Sequence, residues 1–127
     1  MAKARVLIVE DEPNIVESLS FILRRAGFDV HTVTDGAEAL ERVRRQGFEV
    51  LVLDIMLPGM NGLDVLKAIR SDPALSSLPV IVLTAKGQAN DRRTAESIGA
   101  SAFITKPFSN ADVVARVARL AGGAGPP

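Results

Sequence analysis

Short apolar runs alternate with longer amphipathic stretches along this chain, and this alternation restricts the fold more than any other sequence feature. Residues 6–9, 50–53 and 80–83 form continuous apolar runs that are rich in Val and Ile. Runs this short and this apolar are typical of strands that are buried on both faces of a parallel sheet. Two weaker strand candidates cover residues 28–33 and 102–105.

The stretches between these runs have the apolar spacing of helices. Asp35 precedes one of them and is suited to cap a helix N-terminus, while Asp72 and Pro73 are expected to end the third helix. The stretch 88–97 is compatible with a helix but is mostly polar. The apolar helix faces are formed by Ile15, Leu19, Ile22 and Leu23, by Leu40 and Val43, by Leu63, Leu66 and Ile69, and by Val113, Val117, Leu120 and Ala121.

Five successive β–α units predict an α/β fold in which helices cover both faces of a parallel sheet. We expect a single doubly wound domain with a five-stranded sheet of order 2-1-3-4-5, which is the flavodoxin-like arrangement. The domain is predicted to cover residues 1–121. The Gly- and Pro-rich residues 122–127 are predicted to form a flexible tail or linker stub.

Composition excludes several classes of protein. The 127 residues include no Cys, which excludes a disulfide scaffold, a Cys zinc site and a Cys nucleophile. The 15 basic and 15 acidic side chains balance, and aromatic residues make up 4% without Trp or Tyr, so we expect no direct nucleic-acid binding. No apolar segment approaches the roughly 20 residues that span a membrane, and the N-terminus is unlike a signal peptide, which fits a cytoplasmic protein.

Polar and charged residues follow the apolar runs where the strands are expected to end. Glu10 and Asp11 follow the first strand, Asp54 ends the third, Thr84 the fourth and Lys106 the fifth. In a doubly wound sheet these ends meet at the edge where ligands bind. Carboxylates packed together resist ionisation unless a cation balances them, and Mg²⁺ (or Mn²⁺) suits such oxygen ligands. The Lys106 ammonium and the Thr84 hydroxyl are suited to bind phosphoryl oxygens.

Taken singly, each of these residues is more often a helix cap or a turn residue, but their combination at four strand ends favours a functional site. The combination resembles the receiver domain of bacterial two-component response regulators. The matching segments are VLIVEDE (6–12), VLDIMLPGMNG (52–62), VLTA (82–85) and FITKPF (103–108), and the resemblance extends over residues 4 to 120.

The resemblance implies a role for each site residue. Asp54 is expected to accept a phosphoryl group from a sensor histidine kinase or a histidine phosphotransfer protein, which makes the chain a signalling domain and not a conventional enzyme. Asp11 is expected to bind Mg²⁺ directly, Glu10 through a metal-bound water, and Met56 through its backbone carbonyl. Lys106 is expected to contact the phosphoryl oxygens.

The resemblance also implies a switch. Thr84 is expected to move toward the phosphoryl group, Phe103 occupies the aromatic switch position, and the peptide bond between Lys106 and Pro107 is one that the family holds in cis. We expect the helix of residues 88–97 to shift, because its apolar face is the thinnest of the five. The output face is then the fourth helix, the fifth strand and the fifth helix.

Some positions depart from common family patterns. Met56, like Lys86, occupies a position that influences how readily water attacks the phosphoryl group, and its thioether cannot orient water, so we predict a long-lived phosphoryl state. Ser101 and Ala102 stand where many receivers attached to winged-helix DNA-binding domains have two Asp, which disfavours their salt-bridged dimer. The activated chain is expected to bind a downstream protein target or to form a dimer with itself.

Three other functions remain open on the sequence. A dehalogenase-like phosphatase also uses a strand-end Asp with Mg²⁺, but it has a second acid where Met56 stands. A flavodoxin-like cofactor binder needs a phosphate loop where Glu10 and Asp11 follow the first strand. A degenerate receiver that acts only as a binding module would lack phosphorylation residues that are all present here.

Overall fold

The computed structural model describes residues 3–85 and 87–122. Ten elements alternate strictly between strand and helix. In chain order they are β1 (Arg5–Val9), α1 (Pro13–Arg25), β2 (Asp29–Val33), α2 (Gly36–Arg45), β3 (Val50–Asp54), α3 (Gly62–Ser71), β4 (Val80–Ala85), α4 (Ala89–Ile98), β5 (Ala102–Lys106) and α5 (Asn110–Gly122).

The strands form one parallel sheet of order β2-β1-β3-β4-β5, which confirms the predicted doubly wound α/β fold. Successive residues of a strand point to opposite faces of the sheet, so each apolar run supplies both faces. In β1, Leu7 packs into the core beneath α2, α3 and α4, while Ile8 packs into the core beneath α1 and α5. The central strands are therefore apolar without interruption because neither face meets water.

Helices α2 and α3 begin or end at the residues that the sequence predicts. The side chain of Asp35 accepts a hydrogen bond from the backbone N–H of Glu38 and begins α2. Asn61 caps α3 in the same way, and α3 ends just before Asp72. Helix α4 buries only Ala95, which agrees with the polar character of its sequence.

Two boundaries differ from the expectation. Thr84 is not the last residue of β4, because Ala85 continues the strand by pairing with Lys106 of β5. Helix α5 extends to Gly122, one residue into the segment predicted as a tail, and residues 123–127 lie outside the part that the structure describes. In the described part, no helix is long and apolar enough to cross a membrane.

Gly62 allows the start of α3 to lie directly against the end of β3. Its N–H donates a hydrogen bond of 2.9 Å to the Ile55 carbonyl. A Cβ at this position would lie 2.2 Å from the Asp54 carbonyl oxygen and 2.7 Å from the Ile55 Cα. Both of these atoms belong to the backbone, which cannot turn aside as a flexible side chain can.

We predict that Gly62→Ala lowers the free energy of unfolding by at least the roughly 1–3 kcal/mol typical of overpacking, because the helix and the strand must separate. Gly47→Ala is the matched control, because a Cβ there meets nothing within 4 Å, and it should change stability by less than about 0.5 kcal/mol. Urea unfolding of both variants checks this. Equal stabilities would show that α3 can shift without cost.

Candidate functional site

The order of the strands assembles the candidate site at one edge of the sheet. Asp54 is the last residue of β3, and Glu10 and Asp11 directly follow the neighbouring β1. Thr84 lies near the end of β4 on the other side of β3, and Lys106 is the last residue of β5. Glu10, Asp54 and Thr84 are buried although they are polar, which is uncommon unless such groups have partners.

Lys106 joins the two buried carboxylates. Its Nζ atom lies 2.9 Å from Asp54 Oδ2, where it donates a hydrogen bond, and 3.2 Å from Glu10 Oε1. Burial by itself lowers the pKa of Lys106, but the hydrogen bond and charge of Asp54 and the charge of Glu10 outweigh this, so the pKa lies above its usual value. Lys106 is therefore protonated and positively charged at this edge of the sheet.

Glu10 is held by the loop that follows β1. Its Oε2 atom accepts hydrogen bonds of 3.1 Å from the backbone N–H groups of Asp11 and Glu12. Its Oε1 atom is buried and lies near the Lys106 ammonium, but the geometry of that contact is not that of a hydrogen bond. Burial, followed by the nearby Asp54 carboxylate, raises the pKa of Glu10 to about 7.

The three carboxylates can hold one cation. Glu10, Asp11 and Asp54 each offer an oxygen, and these oxygens all lie within 4.8 Å of one another. Three carboxylates and one lysine leave an excess of negative charge at a site where Glu10 and Asp54 are buried. The Glu10 Oε1 atom, which is buried without a hydrogen-bond partner, is one sign of this excess. A small divalent cation with a preference for oxygen ligands fits this set of donors.

The loop after β3 turns back over Asp54. The backbone N–H of Met56 donates a hydrogen bond of 2.9 Å to Asp54 Oδ1, so both oxygens of this carboxylate have a donor. Met56 is 63% exposed, which makes it one of two large apolar residues that are exposed among the described residues. The backbone of Met56 is therefore beside the candidate site while its thioether faces solvent.

The two predicted switch residues lie on neighbouring strands. Thr84 is buried and pairs with Thr105, the residue before Lys106. Phe103 is half-buried against the core beneath α2, α3 and α4, and the guanidinium of Arg92 from α4 lies 4.6 Å from the centre of its ring. The peptide bond between Lys106 and Pro107 is cis.

Two contacts near the site could not be anticipated from the sequence. Arg92 stacks on Phe103, and the side-chain oxygen of Gln88 accepts a hydrogen bond from the backbone N–H of Ala85. Both contacts depend on where the loop after β4 places the first turn of α4. The only signal in the sequence is that residues 88 and 92 are four apart, which places them on the same side of a helix.

Comparison with known proteins agrees with this arrangement. The family model described as the response regulator receiver domain matches residues 6–118. The sensory transduction protein RegX3 of Mycobacterium tuberculosis is 45% identical over 112 residues, which cover 88% of this chain and 48% of RegX3. The DNA-binding response regulator MtrA of Mycolicibacterium smegmatis is 42% identical over 119 residues, which cover 93% of this chain and 51% of MtrA. The chain thus spans about half the length of these relatives.

Solved structures of similar proteins have the same fold. The chemotaxis protein CheY4 of Vibrio cholerae aligns with a TM-score of 0.86 and 30% identity, over 94% of this chain and 99% of that one. The receiver domain of the sensor histidine kinase PA1611 from Pseudomonas aeruginosa, which has a magnesium ion in its active-site cleft, aligns with a TM-score of 0.88 and 30% identity, over 95% of this chain and 99% of that one. On this sequence and structural similarity, the chain belongs to the response regulator receiver domain family of two-component systems.

Proposed function

We propose that this receiver domain accepts a phosphoryl group on Asp54 from a phosphohistidine of a partner protein, in a reaction that depends on Mg²⁺. The observation that carries the proposal is the environment of Asp54. Asp54 is 3% exposed at the end of β3, and its carboxylate has the Lys106 ammonium on one oxygen and the Met56 N–H on the other. A buried carboxylate with donors arranged around it is suited to nucleophilic attack on phosphorus.

The chain's own residues supply position and charge. One Asp54 oxygen attacks the phosphorus, the bond between phosphorus and the histidine nitrogen breaks, and the histidine leaves with the electron pair. The Lys106 ammonium, which pairs with Asp54 in the resting protein, then has a phosphoryl oxygen within reach and offsets its charge. The Thr84 hydroxyl is a further donor from the neighbouring strand.

Glu10, Asp11 and Asp54 are the residues that we propose to hold the cation, which is Mg²⁺ (or Mn²⁺), together with the backbone carbonyl of Met56. The cluster of carboxylate oxygens and the raised pKa of Glu10 support this assignment. When bound, Mg²⁺ offsets negative charge on both the carboxylates and the phosphoryl oxygens. The PA1611 receiver domain has a magnesium ion in its active-site cleft, which is consistent with a cation at this edge of the sheet.

We propose that the signal leaves through the α4-β5-α5 face. Thr84 and Phe103 connect the site to this face, because they lie on adjacent strands that lead away from Asp54. Helix α4 is the element suited to move, because Ala95 is its only buried residue and Arg92 links it to the Phe103 ring. A phosphoryl group that draws Thr84 inward would leave room for the ring of Phe103 to follow.

The proposed partners are a sensor histidine kinase or a histidine phosphotransfer protein upstream, and a protein target or a second copy of the chain downstream, all in the cytoplasm. The name of MtrA assigns DNA binding to a protein about twice as long as this chain. We propose no nucleic-acid contact by the receiver itself, because its acidic and basic side chains balance. Phosphatase activity is not proposed, because Met56 occupies the position of the second acid that a dehalogenase-like enzyme uses.

We predict that acetyl phosphate with Mg²⁺ adds one phosphoryl group to the protein, and that Asp54→Asn abolishes the addition because an amide is not a nucleophile. Removal of Mg²⁺ with a chelator should abolish it as well. Intact-protein mass spectrometry measures the product. Asp64→Asn is the control, since it makes the same chemical change on an exposed turn of α3 and should leave the addition intact. Labelling that persists in Asp54→Asn would place the acceptor elsewhere.

We predict that beryllofluoride, a mimic of the phosphoryl group, changes amide exchange at residues 87–105 by severalfold, because it acts on the most weakly packed helix. Residues 36–45 of α2 serve as an internal reference and should exchange at an unchanged rate, since α2 buries four residues in the core. Hydrogen exchange with mass spectrometry checks this. Unchanged exchange across residues 87–105 would contradict the proposed switch.

We predict that the phosphoryl group stays on Asp54 for much longer than seconds in the isolated domain. The Met56 side chain is exposed beside the site and cannot orient an attacking water. Met56→Asn should shorten the lifetime severalfold because its amide can hold a water, whereas Met56→Leu, of similar size and polarity, should not. Decay of the phosphorylated mass with time provides the measurement. Decay of the unaltered protein within seconds would refute the prediction.

A further inference from the structure

The backbone N–H of Ala85 points from β4 toward β3. Backbone polar groups alternate between the two neighbouring strands along a parallel strand. The carbonyls of Pro79 and Leu83 accept hydrogen bonds from Leu51 (2.9 Å) and Ile55 (3.4 Å), at the two ends of the β3–β4 contact. Every second residue from Pro79, which directly precedes β4, therefore faces β3, and Ala85 follows Leu83 in that series.

The ladder between β3 and β4 does not continue to this N–H. Its next acceptor would be the carbonyl of Ile55, but this carbonyl instead accepts from the N–H groups of Leu57 (3.1 Å) and Gly62 (2.9 Å) in the loop before α3. Strand β3 has already ended at Asp54. The N–H of Ala85 is thus a backbone donor at the site edge, on the side of Asp54, that no strand uses.

The Gln88 side chain accepts the hydrogen bond of this Ala85 N–H. Its Oε1 atom accepts the hydrogen bond from the Ala85 N–H, and its backbone N–H donates to the Ala85 carbonyl at 3.3 Å. Gln88 is also the N-cap residue of α4, and its carbonyl accepts from Arg92 at 2.9 Å in the first turn. Its side chain makes no capping bond to the described residues of α4. Gln88 therefore both begins α4 and accepts the hydrogen bond of the Ala85 N–H at the site edge.

We propose that Gln88 is a positioning residue whose carboxamide holds the Ala85 N–H in the unphosphorylated protein, and that a phosphoryl oxygen on Asp54 displaces it. This inference rests on the proposed function of Asp54. The displacement is favourable because hydrogen bonds to a charged acceptor are roughly twice as strong as those between neutral groups. Gln88 then acts as an internal competitor, and its release frees the first turn of α4 from the site.

Affinity for beryllofluoride in the presence of Mg²⁺ tests the competition. Gln88→Ala should bind about 2- to 10-fold more tightly, which is the range of one net hydrogen bond. Gln88→Glu should bind more weakly, because its carboxylate holds the N–H more firmly and repels the anion. Asn90→Ala is the control, since it removes an exposed amide from the same turn of α4 and should bind as the unaltered protein does. Equal affinity in Gln88→Ala, or an equal gain in Asn90→Ala, overturns the proposal.

The amide signal of Ala85 in NMR spectra gives a second readout that a change in helix stability alone would not produce. Without ligand, Gln88→Ala should shift this signal away from its position in the unaltered protein. With beryllofluoride the two signals should coincide, because the acceptor is then the same in both proteins. A difference that persists in the bound state overturns the proposal.

The proposed function and the further inference fail in different ways. If beryllofluoride does not bind the unaltered protein, or binds Asp54→Asn equally well, the function proposed for Asp54 is wrong and the displacement of Gln88 is wrong with it. If beryllofluoride binds through Asp54 but Gln88→Ala changes neither the affinity nor the Ala85 signal, only the role of Gln88 is wrong.

Discussion

The ion pair between Lys106 and Asp54 is the interaction on which the proposed chemistry of this domain depends. Removing two opposite charges from water costs several kcal/mol per ion, and only close contact and further hydrogen bonds offset this. Asp54 has both, from Lys106 at 2.9 Å and from the N–H of Met56. Lys106 also lies 3.2 Å from Glu10, so one ammonium serves two buried carboxylates and the acidic charge at this edge remains incompletely balanced. Burial first, and then the neighbouring Asp54 carboxylate, raise the pKa of Glu10 above its usual value.

The sheet brings these charges together at the cost of tight backbone packing. Asp54 can stand between Glu10 and Lys106 only because β3 lies at the centre of the strand order, with β1 on one side and β4 and β5 on the other. The start of α3 must then lie against the end of β3, where only Gly62 fits. Apolar burial on both faces fixes the strands, and the strands hold the charged residues at the sheet edge.

Much of this could be predicted from the sequence, because the information is local. An apolar run of four residues identifies a buried strand, and the residue after it is at the sheet edge, which is why the sequence places Glu10 and Asp54 at this edge. Contacts between distant loops could not be assigned in this way. Arg70 donates to the carbonyls of Leu78 and Gly99, at the ends of two loops whose paths no local pattern specifies. The contact between Gln88 and Ala85 is of the same kind.

The two ends of α4 are held by contacts of different strength, and the proposed response of this helix depends on that difference. The C-terminal end is tied to the body of the domain, because the Arg70 guanidinium donates to the Gly99 carbonyl at 2.8 Å and Ala95 is fully buried. The N-terminal end is held by two neutral hydrogen bonds between Gln88 and Ala85, one of them through the Gln88 side chain, and by the stacking of Arg92 on Phe103. If Asp54 is phosphorylated as proposed, the new anion would compete only with the weaker end, and a change of charge at the sheet edge would become a change at one end of a surface helix.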